Sequence, residues 1–176
     1  MRLHLLFSLV LAIPGSVVGQ DQDARTLFFT TLKSLCGARF EGASTFPTDS
    51  TDSFAGKLLV ATISSCGEEE VRVPFTVGED RSRTWIFTRI GTGLQMKHDH
   101  RHADGTPDAI TMYGGMARAG GTALSQSFAA DTLTARLIPA AATNVWTVSL
   151  SADKRRLTYH LERNGQPRFT AVLTRT

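Results

Sequence analysis

The 176 residues carry 19 Lys and Arg against 16 Asp and Glu, a net charge of +3 with a pI near 9.2. The one basic block, Lys154-Arg155-Arg156, follows an Asp, so no concentrated stripe or aromatic interleaving marks the chain for nucleic acid. Hydrophobic residues make up 41%, enough for one ordinary core, and beyond the N-terminal stretch no segment is apolar enough to span a bilayer.

Residues 1–19 read as an export signal. Arg2 gives a short basic start, Leu3 to Ile13 is apolar apart from His4 and Ser8, and Pro14-Gly15 breaks the run. Val17 and Gly19 then supply small residues at −3 and −1 of a cleavage before Gln20. The apolar run falls short of the roughly 20 residues a spanning helix needs, which argues against an uncleaved anchor. The mature chain, 20–176, fits a single domain. Export makes the two cysteines, Cys36 and Cys66, a structural disulfide rather than a reactive pair, since no C-x-x-C is present. Such a bridge contributes about 3–4 kcal/mol in the chain-entropy description.

A helix is predicted over about 22–36, where Ala24, Phe28, Leu32 and Leu35 recur at three- and four-residue spacing. Asp21 is the expected cap, Asp23 and Lys33 complement the helix dipole, and Gly37 is a natural stop. After Gly37 the period falls to two. Strands are predicted at 39–44, 57–64, 71–77, 84–90, 94–102, 109–113, 123–130, 132–138, 145–151, 156–162 and 168–174. Trp146, Val148 and Leu150 share one face; so do Leu157, Tyr159 and Leu161, with His160 on the other. Asn164-Gly165 marks a tight hairpin between the last two strands. About ten sequential short strands with one polar side indicate an antiparallel meander. The expected fold is mostly β: a barrel of lipocalin (calycin) type, with a sandwich as the alternative, and one helix outside it or across an end.

The stretch "MKHDHRH", 96–102, holds three of the five histidines. Parity puts Leu94, Met96, His98, His100 and His102 on the apolar face and leaves Lys97, Asp99 and Arg101 on a face that reads as solvated. The turn at 103–108 returns the chain, and register decides what joins the histidines. Keeping Ile110 and Met112 out of water puts Asp108 on the histidine face; the other register puts Thr111 and Tyr113 there. Three imidazoles with Asp108 suit Zn²⁺ or another first-row ion. Against this, same-face neighbours on one strand stand about 6.5–7 Å apart, too far for three to hold one ion unaided. A hydrogen-bonded polar cluster, a wet strand end, and a cluster titrating at about pH 6 are the other readings. No cofactor is otherwise implied. The glycine-rich "YGGMARAGG" reads as a bulge and strand connection, not a phosphate loop.

At "GLQMKHDHRHADGTPDAITMYGG", 93–115, the chain resembles a group of exported bacterial proteins of uncharacterised activity. They share a KHDHRH-x-DGT core, here Lys97–His102 with Asp104-Gly105-Thr106, a following Tyr113-Gly114-Gly115, and a later F-x-A-D. The last departs slightly here, as Phe128-Ala129-Ala130-Asp131. The resemblance implies export and a small β-rich domain. The expected function is a non-enzymatic, barrel-like module for a small-molecule ligand or an envelope partner. Leu94, Met96, Ile110 and Met112 are expected to line its interior, with His98, His100, His102 and Tyr113 near one mouth. The alternatives are a metal-dependent enzyme, a hydrolase, using His98, His100, His102 and Asp108, and a structural envelope protein.

Overall fold

Residues 23–47 and 53–176 are described in a computed structural model of the chain. The expected export signal and the expected cap Asp21 lie outside them. Helix α1 spans Ala24–Ser34, and Asp23 caps it by accepting the Arg25 amide at 3.0 Å. Phe28, Phe29 and Leu32 form its buried stripe. Among the described residues eleven strands follow: β1 Arg39–Phe46, β2 Leu59–Thr62, β3 Ser65–Cys66, β4 Glu70–Val77, β5 Asp80–Ile90 and β6 Gly93–His100. Then come β7 Tyr113–Met116, β8 Ser125–Ala129, a short helix α2 Thr132–Leu137, β9 Asn144–Leu150, β10 Arg156–Arg163 and β11 Gln166–Arg175.

The strands pair antiparallel in the order β7-β6-β5-β4-β2-β1-β11-β10-β9-β8, with β3 paired beside β4. β1 pairs with β11, joining the first strand to the last, and the two ends of the sheet, β7 and β8, come together at the seam. This is a nearly closed up-and-down barrel, not a sandwich. Asn164 and Gly165 both take positive φ and close the β10–β11 hairpin, as the dipeptide predicts. Between β7 and β8 the barrel is held by one bridge, Ala117 to Phe128, and by the Arg118 amide donating to the Ser127 carbonyl. Gly115 permits that approach: a Cβ there would lie 1.9 Å from the carbonyl oxygen of Ala129.

Parity orients the barrel. Phe87 and Trp85 on β5 face Met96 and His98 on β6, and all four are buried. The Phe28 ring of α1 sits 6.2 Å from Phe87 and 6.5 Å from Phe128, so α1 covers the end defined by Leu94, Met96 and Phe87. The disulfide Cys36–Cys66 fastens the end of α1 to β3. Apolar side chains therefore fill one end, and the His98–His100 level lies toward the other. Among the described residues no helix is long and apolar enough to cross a membrane.

Two expected strands are corrected. Residues 132–138 contain α2, because Asp131 caps it through the Thr134 amide at 2.8 Å and Thr134 is buried against Gly114. Residues 109–112 are a loop. Met112 takes φ 57, which breaks extended backbone, and strand β7 starts only at Tyr113.

That break also settles the register, against expectation. Tyr113 pairs directly with His98, so Tyr113 and not Asp108 shares the histidine face. Ile110 and Met112 are exposed at 46% and 37% and line no interior. The Asp108 carboxylate accepts the Ile110 amide instead. The face read as solvated is also covered in part: Lys97 and Asp99 are buried, at 7% and 4% exposure, while Arg101 is exposed. Lys97 pairs with Asp131 at the start of α2, and Asp99 accepts from Arg101 at 2.8 Å and from Thr111 at 3.2 Å. The outer elements supply the partners that buried charges require.

Candidate functional site

Strands β6 and β7, and β10 across the barrel from them, carry inward polar groups at the open end. His98 on β6 is buried, with Nδ1 3.2 Å from the Tyr113 carbonyl and Nε2 2.8 Å from the Tyr159 hydroxyl. A carbonyl only accepts, so Nδ1 carries the proton and Nε2 accepts from Tyr159. The Tyr113 ring stacks on His98 at 4.6 Å, and its hydroxyl lies 3.0 Å from His100 Nε2. Each polar group of the cluster therefore answers another.

Burial controls the protonation of these groups. It pushes His98 down to about 3, with the charges of His100 and Lys97 adding to the effect, so the ring is neutral at ordinary pH. His100 is also lowered, chiefly by burial and then by Arg83. Tyr113 is pushed up to about 12 by burial, and Tyr159 is raised well above its ordinary value for the same reason. Both phenols keep their protons. At neutral pH this is a set of fixed donors and acceptors.

Beside the cluster lies a cavity of about 310 Å³. Its wall is aromatic: Phe75, Trp85 and Tyr159 form a continuous stack, with ring centroids 4.5 and 4.6 Å apart, and Trp146 stands 5.1 Å from His98. Phe54 meets Phe169 edge-on at 5.1 Å and adds to the same wall. At the rim, Asn144 and Arg163 are paired across β9 and β10, and the Arg163 Nε donates to Asn144 Oδ1 at 2.9 Å. Arg83 completes the polar lining. It pairs with Asp80, and its guanidinium lies 5.4 Å from the centre of the Phe54 ring. Partial burial alone would raise Asp80, but the Ser82 hydroxyl and amide and the Arg83 guanidinium pull it down to about 2. It is therefore ionised.

Of the expected pocket residues, His98 and Tyr113 line this cavity and His100 adjoins it through Tyr113. Leu94 and Met96 are buried, but in the filled end under α1. Ile110 and Met112 are outside, and His102 is exposed beyond the end of β6. The four suggested metal ligands are not gathered. Both nitrogens of His98 are engaged, and no group of three His, Cys, Asp or Glu among the described residues is placed to hold an ion. His160 faces away, its Nδ1 2.7 Å from Thr170 Oγ1.

The sequence reading missed Phe75, Trp85, Asn144 and Arg163 as site residues. The signal was present for the last two: extending the Trp146–Leu150 and Leu157–Leu161 alternation one step puts Asn144 and Arg163 on the inner face. Comparison with protein-family models, curated proteins and solved structures finds no match to this chain.

Proposed function

We propose that the protein is an exported binding module that holds one small, mainly aromatic or apolar molecule inside its barrel, with periplasmic or secreted placement. The observation that carries this reading is the cavity walled by Phe75, Trp85, Trp146 and Tyr159. Its volume is at the small end of the roughly 300–1,000 Å³ common for ligand sites. A few convergent polar groups on rigid strands accompany that wall, as specific recognition requires. The neighbouring imidazole and phenols hold their protons over the neutral range, which suits binding better than proton transfer. The Cys36–Cys66 disulfide and the leader-like 1–19 support export.

Trp85 and Trp146 border the cavity, so occupancy reports itself in their fluorescence. The neutral probe N-phenyl-1-naphthylamine is expected to bind saturably, one per chain, with quenched tryptophan emission. Ala141 also lines the cavity and is buried, so Ala141→Phe, which fills it, should weaken binding at least about tenfold. Absence of saturable binding by this probe and by small aromatic anions alike would overturn the reading.

A further inference from the structure

The polar groups of the cavity are unequal in sign. Two arginines, Arg83 and Arg163, line it, and no carboxylate among the described residues does. Arg83 is already committed to Asp80 and to the face of Phe54. Arg163 is different. Among the described residues it forms no ion pair, and its single side-chain hydrogen bond uses Nε, toward Asn144. A guanidinium has five N–H donors, so the four on Nη1 and Nη2 are uncommitted.

Asn144 adds to this. It is 4% exposed and lines the cavity, and its Oδ1 is fixed as the acceptor by the Arg163 bond. Its Nδ2 therefore presents two donors, which have no partner among the described residues. Nδ2 is open to the cavity, so both donors are free to meet an acceptor held there. Asn144 and Arg163 are directly opposed on β9 and β10, so their spare donors project from one place on the wall. They form a half-buried cationic donor patch at the edge of an aromatic surface.

We propose that the ligand carries a carboxylate, bound by Arg163 and Asn144, with Arg83 supplying a second positive charge and the aromatic body against Trp85 and Tyr159. The inference rests on the binding reading above and specifies the ligand class: a small aromatic carboxylate. Arg163 presents a planar fork that matches a carboxylate in a bidentate manner, and the Asn144 amide supplies a further N–H to the same oxygens. The aromatic wall beneath keeps water away and strengthens that contact. A neutral ligand of equal shape leaves the Arg163 charge unanswered.

The test compares 1-naphthoate with 1-naphthamide, which share ring and head shape but differ in charge, by calorimetry or tryptophan quenching. The wild-type protein is expected to bind naphthoate at least about tenfold more tightly than naphthamide. Arg163→Gln should cut that ratio to less than about threefold, whereas Arg163→Lys, which keeps the charge but loses the fork, should retain part of it. Arg83→Gln should reduce the ratio less than Arg163→Gln, because Asp80 already answers Arg83. Equal binding of the two compounds, or a preference for the amide, overturns the carboxylate assignment and leaves the binding reading standing. Binding of neither compound, nor of the neutral probe, overturns both.

Discussion

His98 makes the barrel sensitive to acid, and the size of that sensitivity follows from its surroundings. The ring is buried, donates from Nδ1 to the Tyr113 carbonyl and accepts the Tyr159 hydroxyl proton at Nε2. A second proton would face that hydroxyl with no carboxylate beside it, while Lys97 and His100 add unfavourable charge. The folded protein therefore resists protonation until about pH 3, against an ordinary value of 6.5 in the unfolded chain. Between those values the unfolded state binds the extra proton and the folded state does not. The contribution is thus fully present above 6.5 and is lost as pH falls toward 3. From about pH 7 to about pH 5 the loss is about 2 kcal/mol, and across the whole window it approaches about 5 kcal/mol. Urea unfolding followed by tryptophan emission at those two pH values measures it. His98→Gln should cost about 2 kcal/mol at pH 7 through the weakened Tyr159 bond. Its stability should nevertheless fall about 2 kcal/mol less than wild type between the two pH values. In the wild-type protein the His98 Cε1 proton resonance should not move down to about pH 4. Equal pH slopes in the two proteins, or a His98 resonance titrating near its ordinary value, would refute the reasoning.

Two further predictions concern the shell around the barrel. Asp131→Ala removes both the cap of α2 and the counter-charge of the buried Lys97, and should destabilise by about 3 kcal/mol in urea unfolding. Lys97→Met should cost less than half of that, because Asp131 is partly solvated and keeps its Thr134 partners; the reverse order would refute the account. Replacing Cys36 and Cys66 together by serine opens a loop with a sequence separation of 30 and should lower stability by about 3–4 kcal/mol. A loss below about 1 kcal/mol would show that α1 holds its end of the barrel without the bridge.

Local physics made much of this molecule readable. Alternation in 145–151 and 156–162 announced strands whose inner residues are Trp146, Val148, Leu157 and Tyr159, all buried. The Asn164-Gly165 hairpin and the apolar stripe of α1 follow from backbone freedom and from periodicity. Where alternation misled, a non-local partner was responsible. "TLTARL" alternates Thr and Arg with Leu and Ala, yet it folds as a helix because Asp131 caps it and Thr134 bonds Gly114. Lys97 and Asp99 look like an outward polar face until α2 and the loop carrying Thr111 cover them.

Taken alone, the sequence determined the meander, the single helix at its start, the pairing of its two cysteines and the inward direction of His98. Those depend on contacts between near neighbours, on the two-residue repeat of a strand, and on there being one partner for each cysteine. Only the tertiary structure decided that Tyr113 rather than Asp108 meets His98, because the positive φ of Met112 resets the strand after the loop. Barrel closure alone brings Trp85 of β5 onto Tyr159 of β10 and sets Arg83 and Arg163 around one cavity. Those residues are far apart in the chain, and their meeting is fixed by the order and stagger of all the strands between them. No short stretch, "MKHDHRH" included, contains that information.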